Sequence, residues 1–402
     1  MSRIGELIER LCPDGVEFKA LRGVASYSRD RIDSSAITPG SYVGVNELLP
    51  NFQGRTLEVR SPSEARCIRF SRDDILLGNI RPYLKKMWLA NRSGGTNGDV
   101  LVIRIKDRAR LSPKFLWQVL ASSDFVNYNV QHSHGAKMPR GDKASILDYQ
   151  VPLPPMEIQE EIVQILGSFS ELEAELEAEL EARQEQYSHY RDALLSFNED
   201  SSIRQVALAD IGALRRGKRF VISDYVEKGI EAVHYGEIYT TYSLSATETV
   251  SHLPESMAPS LRFAHKGDVI IAATGENVED LCKPLVWYGE NDVAVHDDCF
   301  IFTSDIEPKY VAHCLLSSSV AEQKRKYVSS GKVSRISKEG LSRITIPLPP
   351  IETQRRIVTI LDKFDALVND LSSGIPAEIE ARRKQYEYYR DKLLTFKEKP
   401  GD

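Results

Sequence analysis

From Met156 to Phe197 apolar side chains recur at spacings of three, four and seven: Ile158, Ile162, Ile165, Phe169, Leu172, Leu176, Leu180, Tyr187, Tyr190 and Leu194. That is one apolar stripe on a long helix, about 63 Å at 1.5 Å per residue. A second stripe runs through Ile357, Ile360, Leu361, Phe364, Leu367, Val368 and Leu371, then Ile379, Tyr386, Tyr389 and Leu393. Gly374 and Pro376 interrupt it, so a kink or short break is expected there. Elsewhere the pattern shortens. Asp74–Leu77, Val100–Ile105, Asp268–Ala272 and Cys299–Thr303 are β-rich runs bounded by glycine turns. Helical patches follow at Pro113–Tyr128 and Pro308–Lys326. Two globular blocks thus alternate with two long helices.

The chain repeats itself. Val151–Leu166, VPLPPMEIQEEIVQIL, and Ile346–Leu361, IPLPPIETQRRIVTIL, agree at 10 of 16 positions. Glu181–Phe197, EARQEQYSHYRDALLSF, and Glu380–Phe396, EARRKQYEYYRDKLLTF, agree at 11 of 17. The offsets are 195 and 199, so the second copy holds four more residues between its matched blocks. Such periodicity marks a duplication. The globular blocks kept only weak parallels: Asp74-Ile-Leu-Leu-Gly78 against Asp268-Val-Ile-Ile-Ala272, and Gly135, Lys137 and Arg140 against Gly331, Lys332 and Arg335. The expected fold class is α+β: two α/β globular domains separated by two long antiparallel helices forming a coiled coil, with pseudo-two-fold internal symmetry.

Charge matters only when read by segment. The net formal charge of −6 over 402 residues combines +7 for residues 1–150, −11 for 151–200, −2 for 201–345 and zero for 346–402. A short acidic block therefore masks a basic domain. The five cysteines make no CxxC pair, which argues against a disulfide framework or a zinc knuckle. No apolar run approaches the roughly 18 residues of a membrane span, so a reduced, cytoplasmic protein is expected.

Basic clusters are the strongest local chemistry. The DNA-contact candidates are Arg81, Lys85, Lys86, Lys137, Arg140 and Lys143 in the first block, and Arg215, Arg216, Lys218, Arg219, Lys332, Arg335 and Lys338 in the second. Lys and Arg neutralise phosphates, and Arg reads guanine edges bidentately. Solvated surface charge is the competing reading for each cluster taken singly. The correspondence of Lys137–Lys143 with Lys332–Lys338, each just ahead of a helical repeat, favours DNA. Neither His132-Ser-His134 nor His296-Asp-Asp298 has the further ligands of a metal site. GxxxxGK[ST], GxGxxG and the Asn/Asp-Pro-Pro-aromatic tetrapeptide of amino-methyltransferases are missing. No catalytic residue, metal site or cofactor bound by this chain is expected.

Residues 171–182 read ELEA three times, with Leu172, Leu176 and Leu180 as a ridge. These are good helix formers and make a stable spacer. Four helical residues turn through about 400°, some 40° past a full turn, and rise about 6 Å. One base-pair step of DNA turns about 36° and rises about 3.4 Å. Each tetrapeptide thus has nearly the twist of one base pair, which makes a length-adjustable ruler.

Two divergent domains, each followed by PLPPxExQxxIVxIL and QYxxYRDxLLxF, resemble the specificity (S) subunit of type I restriction–modification enzymes. The resemblance covers the whole chain, and Gly78-Asn-Ile-Arg-Pro-Tyr-Leu-Lys-Lys86 also looks like a stretch of some recognition domains in that family. It implies target recognition domains at 1–150 and 200–345, a central helical repeat at 151–199 that spaces the half-sites and docks modification (M) subunits, and a C-terminal repeat at 346–402. The implied partners are double-stranded DNA, two M subunits carrying S-adenosylmethionine, and restriction (R) subunits using ATP and Mg. This chain itself would be non-catalytic and away from membranes. A fused methyltransferase or nuclease and a nucleic-acid-free coiled-coil scaffold are the alternatives, opposed respectively by the missing motifs and the basic domains.

Overall fold

The computed structural model describes residues 3–400 except 57, 59, 63, 198–201, 279, 330–333 and 370–372. It divides into two compact units, Met1–Glu175 with Glu380–Asp402, and Leu176–Ile379. Each unit takes one globular block and parts of both helical repeats.

In the first unit an antiparallel sheet orders Ala25–Tyr27, Val100–Ile105, Ile75–Gly78 and Met87–Leu89. The central strands Val100–Ile105 and Ile75–Gly78 are almost wholly apolar because both their faces are covered. Ile75, Leu77, Leu101 and Ile103 join the core beneath the helices, while Leu76, Val100 and Val102 join a second core with Phe70 and Trp88. That division is the period-2 alternation of strand side chains. The second unit repeats the arrangement: Val269, Ile271, Phe300 and Phe302 pack on one side, and Ile270, Ala272, Cys299 and Ile301 on the other. Its main sheet orders Ala213–Arg216, Cys299–Thr303, Val269–Ala272, Pro284–Trp287 and Ser245–Ala246. A two-stranded antiparallel clasp closes each block, Glu17–Ala20 with Gln150–Leu153 and Gln205–Ala207 with Thr345–Pro347.

Each expected helical patch is a pair of helices: Pro113–Ala121 and Ser123–Gln131, then Pro308–Leu315 and Ser318–Arg325. Ser122 and Ser317 make the breaks, since each caps the following helix by accepting an N–H, from Phe125 and Val320. The repeat motifs finish the capping. Gln159 is fully buried; it accepts from Ser112 N–H at 2.9 Å and donates to the carbonyls of Pro154 and Arg110 at 2.8 and 2.9 Å. Gln354 likewise accepts from Glu307 N–H at 3.1 Å and donates to Pro349 O at 2.8 Å. At the second helix of each pair, Asp391 accepts the Ser123 N–H at 3.2 Å and Asp192 the Ser318 N–H at 2.9 Å. A carboxylate at a helix N-terminus meets both the orphan donors and the dipole.

The central helix runs Met156–Leu195. Its single expected stripe is divided: Ile158 and Ile162 enter the core of the first unit, Tyr187 that of the second, and Leu172 is 47% exposed. Leu166 and Leu195, beside the expected Ile165 and Leu194, are the residues buried in those cores. In the first unit Phe169 stacks on Tyr389 at 5.5 Å and Glu173 pairs with Arg383, an antiparallel helix contact. In the second, Tyr187 and Tyr190 stack on Phe364 at 6.2 and 5.2 Å. The second repeat is two helices, Ile351–Asn369 and Ile375–Leu393, with the expected break ahead of Pro376. After the last helix, Val16 donates to Lys397 O at 2.8 Å and Lys399 donates to Val16 O at 2.9 Å. Gly15, at φ +110°, permits this: a Cβ there would lie 2.7 Å from Lys397 O.

Candidate nucleic-acid interface

In the second unit a cleft of about 700 Å³ is lined by Arg216, Arg219 and Arg335, by Phe220, Val221 and Ile222, and by His234, His296 and Asp297. One segment, 216–223, supplies one wall; the sheet topology brings His234, His296 and Arg335 to it. Gly217 turns the chain off the strand Ala213–Arg216 so closely that a Cβ would lie 2.1 Å from His296 O. Gly217 and Lys218 then donate to Cys299 O and Val295 O at 3.0 and 2.9 Å. Phe220 is buried, edge-on to His296 at 5.0 Å. Arg335 arrives on Ser334–Ile336, paired with Thr274.

His296 has both ring nitrogens engaged: Nε2 donates to Phe220 O at 3.1 Å, and Nδ1 accepts from Asp298 N–H at 3.1 Å. That fixes its tautomer and leaves no lone pair for a cation. The carboxylates of Asp297 and Asp298 lie near it, yet the ring cannot serve as a ligand without breaking those bonds. Burial, and then the neighbouring His296, push the His234 pKa below its ordinary 6.5.

The candidates in this unit divide. Lys218, Arg219, Arg335 and Lys338 are exposed. Arg216 is exposed but tied through Nε to Asp297 O at 2.7 Å. Arg215 is half-buried between Asp268 and Thr303, a sheet-edge contact. Lys332 lies outside the described residues.

The first unit places corresponding residues by the same backbone pairs. Arg140 bridges to Ile80 as Arg335 does to Thr274, and Asn79 donates to Asp99 O as Ala273 donates to Asp298 O. Arg140 pairs with Asp99 at 3.0 Å, whereas Arg335 has no carboxylate partner among the described residues. Arg81 N–H donates to Pro139 O at 2.7 Å, which brings Arg81, Lys137 and Arg140 to one edge. All three are exposed, as is Lys143 at the start of the helix Lys143–Asp148. Arg81 and Lys85, at φ +52° and +53°, flank the turn Pro82–Leu84; non-glycine residues there are strained and commonly mark functional segments. Lys85 faces Glu387 at 3.7 Å, and Lys86 donates to Val45 O at 2.9 Å, its pKa lowered by burial. Both are engaged internally. On the spacer ridge, Leu176 and Leu180 are half-buried and Leu172 faces solvent.

Charge alone points to the arginines but misses Phe220, Val221, Ile222 and His234. The sequence signal for the first three is an apolar triplet directly after Arg215-Arg216-Gly-Lys218-Arg219; His234 has none.

The family model for the type I restriction modification DNA specificity domain matches twice, at residues 13–182 and 202–381. A relative from Haemophilus influenzae named as a type I restriction enzyme specificity subunit, S.HindORF215P, is 28% identical over 399 residues, covering 95% of this chain and 96% of that protein. The specificity subunit of the Escherichia coli type I restriction enzymes EcoR124I and EcoR124II is 34% identical over 252 residues, 61% of each chain. Among solved structures, a chain from work on complex assembly and conformational transition of the type I restriction–modification system superposes with a TM-score of 0.59 at 19% identity. It covers 94% of this chain and 97% of that one, and so shares the fold.

Proposed function

Because the chain belongs to the type I restriction–modification DNA specificity family and is a specificity subunit with two such domains, we propose that each domain reads one half of a bipartite, asymmetric duplex target. The observation that carries this is the duplicated architecture with unlike contents: the same backbone pairs present Arg140 beside Asp99 in one domain and, in the other, Arg335 with no carboxylate partner among the described residues. Identical frames with different side chains read different half-sites, because backbone contacts position and base contacts specify.

The helical repeats set the gap between half-sites and dock two modification subunits. Exposed Tyr388 and Leu367 on the C-terminal helices and the acidic face of the central helix support that role. S-adenosylmethionine belongs in this scheme to the modification subunits, and ATP with Mg to restriction subunits; the chain supplies recognition and no bond-making step. Among the described residues no helix is long and apolar enough to cross a membrane.

The test is domain exchange. With residues 1–150 replaced by those of a relative of known target, and the modification subunits co-expressed, sequencing of methylated DNA should show one half-site changed and the other kept. Changes in both half-sites, or methyl transfer by the purified chain alone, would refute the reading.

A further inference from the structure

The segment Lys218–Ser223 combines features that surface loops seldom share. Ile222 is 77% exposed and Val221 43% exposed, so two branched apolar side chains stand in solvent side by side. The loop beneath them is rigid: Gly217 and Lys218 are bonded to the neighbouring strand backbone, and Phe220 anchors it in the core. Asp224 closes the far end by accepting Val221 N–H at 2.8 Å and donating its own N–H to Val221 O at 2.8 Å. Arg219 and Arg335 line the same cleft, and Lys218 adjoins it in sequence. A single exposed apolar residue needs no explanation. A preorganised pair flanked by cations, however, matches one surface closely: the major groove, where thymine offers a C5-methyl group to apolar side chains and phosphates line both rims.

We infer that this loop enters the major groove of the half-site read by the second domain, with Ile222 and Val221 packed on thymine methyl groups and Arg219 and Arg335 on the flanking phosphates. The inference rests on the DNA-reading function proposed above. Such a contact specifies sequence without a base-edge hydrogen bond, and loop rigidity keeps the ordering cost of binding low.

The experiment uses the complex of this chain with co-expressed modification subunits, its target taken from the methylated positions. Affinity is measured on duplexes in which each thymine is replaced, one at a time, by deoxyuridine, which lacks only the methyl. Wild type should lose about fourfold at one or two positions of the second half-site, the equivalent of one buried methyl. Ile222→Ala should bind the native duplex about that much more weakly and be indifferent to uracil at the same positions. Its melting temperature should be unchanged, because the side chain lies in solvent. Arg219→Ala should lower the slope of log affinity against log salt by about 1. Uracil indifference of the wild type, a second half-site without A·T pairs, equal uracil sensitivity in Ile222→Ala, or an unchanged salt slope would each overturn the inference. If the wild-type complex binds but is blind to uracil, only this inference falls; if it binds no bipartite target, the reading beneath it falls too.

Discussion

Replacing Gln159 by Met keeps the length and much of the volume of the side chain but deletes the three hydrogen bonds of a buried amide. The Ser112 N–H would be left without an acceptor, which costs roughly 1–3 kcal/mol in a dry site. The carbonyls of Arg110 and Pro154 would each lose a bond with a net worth of roughly 0.5–1.5 kcal/mol. Mid-range values give a loss of about 4 kcal/mol. Gln354 makes two such bonds, so Gln354→Met should cost about 1 kcal/mol less. The two variants should also be separable in space, because Gln159 and Gln354 lie in different units. Hydrogen exchange read by mass spectrometry on the full chain would resolve this. In Gln159→Met, amides of Pro113–Ala121 and the start of the central helix should open about a thousandfold more often, at roughly 1.4 kcal/mol per decade. Peptides within Leu176–Ile379 should keep their protection, and Gln354→Met should show the reverse. A change under threefold, or one spread evenly over both units, would refute the view that these glutamines cap the helices Pro113–Ala121 and Pro308–Leu315.

Asp391→Ala and Asp192→Ala should each cost about 1 kcal/mol by uncapping a helix, seen as a fall in denaturant midpoint. Asp391→Asn should recover most of the loss, since an amide oxygen still accepts the Ser123 N–H. Deleting Glu175–Ala178 removes about 400° of turn and 6 Å of rise; the preferred gap between half-sites should shift by about one base pair, as read from methylated DNA, and altered half-sites would rule the ruler out. The lowered pKa of His234 means that the folded state resists a proton that the unfolded chain accepts. Stability should therefore fall as pH drops through 6.5, and His234→Asn, which still accepts the Gly236 N–H, should flatten that dependence in melting curves at pH 5.5 and 7.5.

The architecture was legible because duplication and periodicity survive burial. Val100–Ile105 and Cys299–Thr303 are strands with the expected bounds, since an apolar run between turns has few other solutions. The break at Ser122 was not legible: Ser fits a helix interior passably, and its role as the cap of the next helix, with Asp391 accepting the Ser123 N–H, is set by tertiary structure. The undivided stripe failed for a related reason. A periodic pattern shows which face is apolar but not which core receives it, so Leu172 read like Ile162 although only Ile162 is buried. For the interface, charge could not separate Lys85 and Lys86, held by Glu387 and Val45, from Arg81, which is exposed. That distinction depends on residues about 300 and 40 positions away in sequence. Ile222 was missed because an apolar residue beside Phe220 reads as core, and the turn made by Asp224 sends one inward and the other out.

The bonds that tie Val16 to Lys397 and Lys399 have a consequence for the nascent chain. The second unit is continuous in sequence, but the first needs residues from both ends. During synthesis at about 5–20 residues per second, the block that emerges earliest waits roughly 10–45 s for its last helix, while the later block can already finish. The amino-terminal half is thus the last to mature, and during that interval Gln118 and Phe52 lack the Tyr386 and Arg390 that will cover them. Loss of Glu380–Asp402 would leave the first unit incomplete and the second, continuous one whole.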